Sequence, residues 1–204
     1  MIEENQVDFT GEGEGLGDRQ IRSGSMTADL IFIAVFSALT AIGGWIKIPV
    51  PPVPFTMQTL FVYMAGDMLD WRRAAASQVL FIIIGLMGAP VFAGGGGPGY
   101  VLKPTFGYLL GFILGAACIG SLAGRRRRIE SWTQLLIPNG IGMLLILLPG
   151  VLYLAFSKRF VLGRPLTFSQ TIVSGLLIFL PHEIGKAAIA AWLAFGLRKR
   201  LSYD

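Results

Sequence analysis

Apolar residues fall in six long runs, separated by short polar breaks or by Gly- and Pro-rich ones. The runs cover roughly residues 28–46, 55–69, 74–92, 105–123, 132–156 and 168–195. None shows the period-2 alternation of a barrel strand, and open strands leave backbone groups unsatisfied in lipid. A helix crosses the hydrocarbon core in about 20 residues, with a range of about 17–25. The pattern predicts an all-α integral membrane protein, a bundle of six transmembrane helices. The second run is short and predicts a tilted, partly buried or incomplete span. Pro138 and Pro149 interrupt the fifth run, and Pro181 the sixth.

Composition agrees with the pattern. The chain has 204 residues, 53% hydrophobic and only 14% charged, where a soluble domain carries about a quarter charged residues. Mean hydropathy is +0.65. Six of the twelve acidic residues lie in the first 26 positions: Glu3, Glu4, Asp8, Glu12, Glu14 and Asp18. Residues 1–26 are Gly-rich and lack an apolar core, so they read as a disordered cytoplasmic N-terminal tail and not as a signal peptide. Residues 27–204 form the transmembrane domain. The basic residues mostly flank spans without interleaved aromatics, which argues against a nucleic-acid surface, and the Arg125–Arg128 run reads as a stop-transfer loop rather than a nucleic-acid patch. Cys118 and His182 are the only cysteine and histidine. No metal site can be built from them, and no cofactor motif is present.

Lys and Arg set the orientation. One side holds Arg19, Arg22, Arg72, Arg73, the Arg125–Arg128 run, Arg198, Lys199 and Arg200; the other holds Lys47, Lys103, Lys158, Arg159 and Arg164. The positive-inside bias puts both termini and the arginine run in the cytoplasm.

Two loops on the outer side are unusual. The first holds four prolines between Pro49 and Pro54, which predicts a stiff extended strap. The second holds Gly94, Gly95, Gly96 and Gly97 in a row, which lets backbone approach a ligand and leaves amides free to donate. No Gly-Lys-Ser/Thr follows those glycines, so no ATPase motif is visible.

The sharpest chemistry lies in the sixth run. Glu183 and Lys186 are opposite charges inside apolar sequence, where ionisable groups are costly and usually face a partner, a cavity or a substrate. Glu183 and Lys186 are three apart and His182 and Lys186 four apart, so one helix face can hold all three. Pro181 favours a helix restart just before them, and discontinuous helices place such ends at binding sites. At about 1.5 Å per residue, Pro181 lies roughly 20 Å from residue 168. Three readings stand: a structural ion pair, a proton relay and a site for a small polar ligand. The last is preferred, with Lys186 meeting an anion or carbonyl and Glu183 accepting from an N–H. No Ser–His–Asp, paired-acid or metal set accompanies the cluster, which argues against catalysis.

Among other polar residues, Gln58 and Tyr108 sit near the two outer loops and are favoured as ligand contacts, with Thr56 beside them. Gln78 and Asn139 fall near inner ends. Asp67 and Asp70, next to Arg72 and Arg73, read as a solvated turn. In the first run Ala34 and Ala38 are four apart, as are Ser37 and Ala41, and such small-residue stripes allow close helix packing, internal or with another membrane subunit.

Three blocks occur in order: Ile48-Pro-Val-Pro-Pro-Val-Pro-Phe-Thr-Met-Gln-Thr59, Gly85-Leu-Met-Gly-Ala-Pro-Val-Phe-Ala-Gly-Gly-Gly-Gly97 and Pro104-Thr-Phe-Gly-Tyr-Leu-Leu-Gly-Phe112. Over roughly residues 27–198 the chain closely resembles the BioY family, biotin-specific S components of energy-coupling factor transporters. The family's last-span motif usually reads Pro-x-Asp-x-x-Lys; here it is Pro181-His-Glu-Ile-Gly-Lys186, with Glu183 in the acid's place. The resemblance implies a six-helix bundle in the cell membrane that captures biotin from outside. It implies partners as well: a transmembrane coupling protein, matched to Ala34 and Ala38, and two ATP-binding cassette ATPases. It suggests Glu183 and Lys186 as deep ligand contacts. Val53–Thr56 and the loop from Phe92 through Gly94–Gly97 would close over the ligand. The competing readings are a stand-alone biotin facilitator, a membrane-embedded enzyme using Glu183 and His182 as acid and base, and a structural scaffold.

Overall fold

The computed structural model describes residues 14–50, 53–123, 129–163 and 167–201. Its helices are α1 (Glu14–Trp45), α2 (Gln58–Met68), α3 (Trp71–Leu86), α4 (Phe106–Ala123), α5 (Leu136–Phe156), α6 (Phe168–Ile172) and α7 (Leu180–Leu201). Each of the six apolar runs becomes one helical pass. The sixth is composite: α6, a π-helical turn at Val173–Leu177, then α7. Among the described residues, four helical segments are long and apolar enough to cross a membrane: Met26–Trp45, Phe106–Ala123, Trp132–Val161 and Ser169–Arg200. α2, with 11 residues, rises only about 16 Å. It is nonetheless buried along almost its whole length, packed against α1, α4 and α7.

Several boundaries differ from the sequence reading. α1 begins at Glu14, within the stretch read as a tail, and residues 1–13 lie outside the described residues, as do Pro51, Pro52 and the Arg125–Arg128 run. α3 starts at Trp71 and ends at Leu86, earlier than expected at both ends. Asp70 explains the start: its carboxylate accepts from the amides of Arg72 (2.9 Å) and Arg73 (3.2 Å), an N-cap. The Arg73 side chain pairs with Asp70 and reaches Asp29 on α1 at 2.7 Å. Partial burial alone would raise the Asp70 pKa, but the Arg73 contacts and the two amides outweigh it and hold the carboxyl below its usual range.

The proline-rich strap is a small ribbon. β1 (Lys47–Ile48) pairs antiparallel with β2 (Phe55–Thr56), Lys47 opposite Thr56 and Ile48 opposite Phe55. This folds Val53 and Pro54 back over the bundle, and Val53 is 6% exposed.

α4 and α5 touch closely because α4 carries Gly107, Gly111 and Gly115 at every fourth position. A Cβ on Gly111 would stand 2.6 Å from the Ile146 carbonyl oxygen, and one on Gly107 2.5 Å from that of Pro149. With little hydrophobic drive between helices in lipid, this close fit supplies the association.

Candidate functional site

The sixth pass breaks where Pro181 predicts. The π-helical turn ends at Leu177, and α7 restarts at Leu180. The Glu183 amide bonds the Phe179 carbonyl at 3.0 Å, so Glu183 sits in the first turn of α7.

Glu183 and Lys186 are 3% and 6% exposed. They form a direct ion pair, and α2 completes it. Thr59 donates its hydroxyl to Glu183 Oε1 at 3.0 Å, and Tyr63 donates to Oε2 at 2.6 Å. The Lys186 ammonium also donates to the Thr59 hydroxyl and, at 2.9 Å, to the Thr56 carbonyl. All three ammonium donors thus have acceptors, which is what makes a buried charge pair tolerable. The structural-pair reading is therefore part of the truth: the pair stitches α7 to α2.

Glu183 also faces a cavity. A cleft with ≈ 490 Å³ of unfilled space, part of it open to the outside, is lined by Glu183, His182 and Phe179 from the sixth pass; Thr56, Gln58 and Thr59 from α2 and its approach; Val53 and Pro54 from the strap; Ala93, Tyr100 and Thr105 from the second loop; and Tyr108, Leu109, Phe112, Ile146 and Leu147 from α4 and α5. Its polar groups are few and its walls apolar and aromatic, the usual character of a small-molecule site. Phe55 stacks on His182 at 4.2 Å between ring centroids and meets Phe179 edge-on at 4.9 Å.

Of the residues singled out from sequence, Glu183, Gln58, Thr56, Val53 and Tyr108 line this cleft. Gln58 is 3% exposed. Its Oε1 accepts from Thr56 at 3.2 Å, while its Nε2 has no hydrogen-bond partner among the described residues. Tyr108 turns its ring to the cleft and donates its hydroxyl to the Gly175 carbonyl at 2.8 Å. Lys186 stands behind Glu183 and Thr59. His182 is at the wall; its Nε2 is 3.4 Å from Glu183 Oε1, without hydrogen-bond geometry.

The glycine loop is built differently from the sequence expectation. Phe92 and Gly94–Gly97 are not in the cavity wall; the loop's ends, Ala93 and Tyr100, are. Phe92 is 2% exposed and plugs the loop into the bundle, its ring where a Cβ on Gly85 would fall at 2.1 Å. The amides read as free are not all free: Gly97 donates to the Gly85 carbonyl at 2.8 Å and Gly95 to Phe92 at 3.1 Å. Lys103 donates to the Gly94 carbonyl at 2.6 Å, and Lys47 reaches the Ala93 carbonyl at 2.5 Å, so two lysines fasten the loop.

The sequence reading missed Thr59 and Tyr63, the second layer around Glu183. The available signal was their four-residue spacing, continued by Asp67, in an otherwise apolar helix. Asp67 itself needs correcting. It is not in a solvated turn: it is 0% exposed and accepts from Asn139 Nδ2 at 3.0 Å. Gln78 is likewise buried, bonded to Ser77 and Thr40. Ala34 and Ala38 are exposed on α1 and border an apolar groove with α3 residues Leu80, Phe81 and Ile84.

Comparisons with known proteins give one answer. A model described as the BioY family matches residues 17–203. The "Probable biotin transporter BioY" of Lysinibacillus sphaericus is 42% identical over 85% of this chain and 88% of its own length. The "Biotin transporter BioY" of Thermotoga maritima is 36% identical, over 83% of this chain and 95% of its own. Among solved structures, the S-component for biotin from an ECF-type ABC transporter superposes with a TM-score of 0.76 at 25% identity, covering 86% of this chain and 93% of that one.

Proposed function

Since the chain belongs to the BioY family, we propose that it is a biotin transporter of the cell membrane, the biotin-capturing S component of an ECF-type ABC transporter. The observation that carries this reading is Glu183, paired with Lys186 behind it and held by Thr59 and Tyr63, at the wall of a mostly apolar cleft. Biotin has the matching chemistry. Its ureido ring offers two N–H donors and a carbonyl, its thiophane ring and valeryl chain are apolar, and its tail is a carboxylate. Glu183 accepts from ureido N–H, the unspent Gln58 Nε2 donates to an oxygen, and Phe112, Phe179 and Tyr108 enclose the apolar ring. Val53 and Pro54 of the strap, with Ala93 and Tyr100 of the loop, cover the ligand. In this reading Phe92 and Gly94–Gly97 shape the cover from behind.

The partners follow from the same reading: a transmembrane coupling protein seated on the Ala34 and Ala38 face of α1, and two ATP-binding cassette ATPases in the cytoplasm. The Lys and Arg distribution supports a reading with both termini on the ATPase side.

The test is calorimetric titration of the purified protein in detergent with biotin, with riboflavin and thiamine as controls. One-to-one binding of biotin alone is expected. Folded protein that takes no biotin would overturn the reading.

A further inference from the structure

α2 presents three polar side chains four residues apart, Thr59, Tyr63 and Asp67, and so on one face. The first two hold Glu183. The third lies about 12 Å further along the helix from Thr59, towards the opposite end of the bundle from the strap. Asp67 and Asn139 of α5 are both 0% exposed. Asn139 Nδ2 donates to Asp67 Oδ2 at 3.0 Å and also to the backbone carbonyl of Ala187 at 3.2 Å. Ala187 directly follows Lys186. One amide therefore ties α2, α5 and α7 together at the point where α7 has just presented its lysine.

Between Lys186 and Arg198, whose guanidinium donates to the Ala123 carbonyl at 3.5 Å, packing alone does little to fix the rotation of α7. The buried positions after Lys186 are Ala187, Ala190, Ala191 and Ala194, a shallow alanine face that interlocks weakly with its neighbours. Arg198 comes next on that face, and its charge acts on Asp67. A hydrogen bond is directional where alanine packing is not. The cluster is also expensive for a mere spacer: Asp67 Oδ1 and Asn139 Oδ1 have no hydrogen-bond partner among the described residues, and apolar residues of similar volume often serve packing as well or better.

We infer that Asn139 and Asp67 are positioning residues for the ligand pair: Asp67 holds the Asn139 amide so that its second N–H clamps the Ala187 carbonyl, setting the rotation of α7 at Glu183 and Lys186. Neither residue lines the cleft. The inference rests on the biotin-capture reading and adds the device that keeps the site's two charges in register, which binding sites require to within about 0.5 Å.

The experiment exchanges the two side chains, Asp67→Asn together with Asn139→Asp. The exchange keeps an amide–carboxylate bond between α2 and α5, but a carboxylate at position 139 cannot donate to the Ala187 carbonyl. A merely structural stitch is restored by the exchange; a clamp on α7 is not. The expected result is a melting temperature close to that of the unaltered protein, about tenfold weaker biotin binding, and faster amide hydrogen exchange over residues 183–191. Unaltered affinity and exchange in the swapped protein would overturn the inference. If the swapped protein does not fold, Asn139→Ala takes its place: about tenfold weaker binding by folded protein supports the clamp, and unchanged binding sinks it. If the unaltered protein takes no biotin, the capture reading fails by itself, and the exchange rates over residues 183–191 still decide the clamp.

Discussion

Tyr63 donates its hydroxyl to Glu183 Oε2 at 2.6 Å, across 120 residues of sequence and from α2 to α7. Tyr63 is 0% exposed, so this bond orients a buried carboxylate from behind while Oε1 takes Thr59 and Lys186. A short, almost fully buried α2 makes sense in this light. Its work is to carry the groups that hold α7's charges, and the longer passes screen it from lipid.

Tyr63→Phe removes one donor and leaves every apolar contact. A hydrogen bond to a charged group contributes about 1.5–3 kcal/mol, and part of that appears in ligand affinity through the freed carboxylate. Biotin binding by calorimetry should weaken about tenfold, with the protein still folded. An unchanged dissociation constant would mean that Glu183 keeps its orientation without Tyr63.

Lys186→Ala leaves Glu183 as an uncompensated buried charge, which costs about 3–5 kcal/mol. Loss of biotin binding and a lowered melting temperature are both expected. Replacing the pair as a whole, Lys186→Met with Glu183→Gln, should recover most of the stability and none of the binding. Recovered binding in the double variant would show that the charges serve the fold alone.

These residues were not equally legible in the chain. Glu183 and Lys186 stand out because a charge in an apolar run is conspicuous, and Pro181 marks the helix restart that positions them. Thr59 and Tyr63 do not stand out: both residue types are common in membrane helices, and their partner is remote in sequence. Asp67 was misread because its neighbours along the chain, Arg72 and Arg73, offer a solvated turn, whereas its neighbours in space are Asn139 and Arg198. The glycine run suggested a cradle of free amides, but closing the loop consumes the Gly95 and Gly97 donors and leaves Ala93 and Tyr100 at the cleft. Six helices were readable from the number and length of the apolar runs; which side chains meet across them was not.

Asp70 provides a test of the loop between α2 and α3, outside the membrane-spanning segments. Its carboxyl is held below the usual range, so ionised Asp70 stabilises the fold. That contribution is fully present above the ordinary carboxylate pKa of about 3.9 and is lost as pH falls through the depressed folded value. Asp70→Ala should cost about 1 kcal/mol at neutral pH, a modest value because the side chain is 39% exposed. Thermal melts of the two proteins should converge in strong acid; a constant gap would assign the cost to something other than the charge.

Phe92 and Gly85 test how the cover is anchored. Gly85→Ala places a methyl where the Phe92 ring now lies, and overpacking of this kind costs about 1–3 kcal/mol. The loop carrying Ala93 and Tyr100 must shift, so biotin should dissociate faster in stopped-flow measurements. Phe92→Leu, combined with Gly85→Ala, makes room for the methyl and should slow dissociation again. Equal off-rates in all three proteins would mean that the anchor does not govern the cover.

Gln58 separates binding from stability most cleanly. Its Nε2 is buried without a hydrogen-bond partner among the described residues, a cost the ligand-free protein bears. Gln58→Met keeps the volume and removes that cost, and it also removes the long 3.2 Å bond that Oε1 accepts from the half-buried Thr56 hydroxyl, a smaller loss because that hydroxyl sits at the open cleft. The backbone bond from the Gln58 amide to the Thr56 hydroxyl at 3.4 Å does not depend on the side chain. The ligand-free melting temperature should therefore stay level or rise, while biotin affinity falls by up to about tenfold, the worth of one net hydrogen bond. Such opposite movements mark a group kept for its ligand. A fall in both stability and affinity would instead make Gln58 a packing residue, and the oxygen-recognising donor of the cleft would have to be sought at His182.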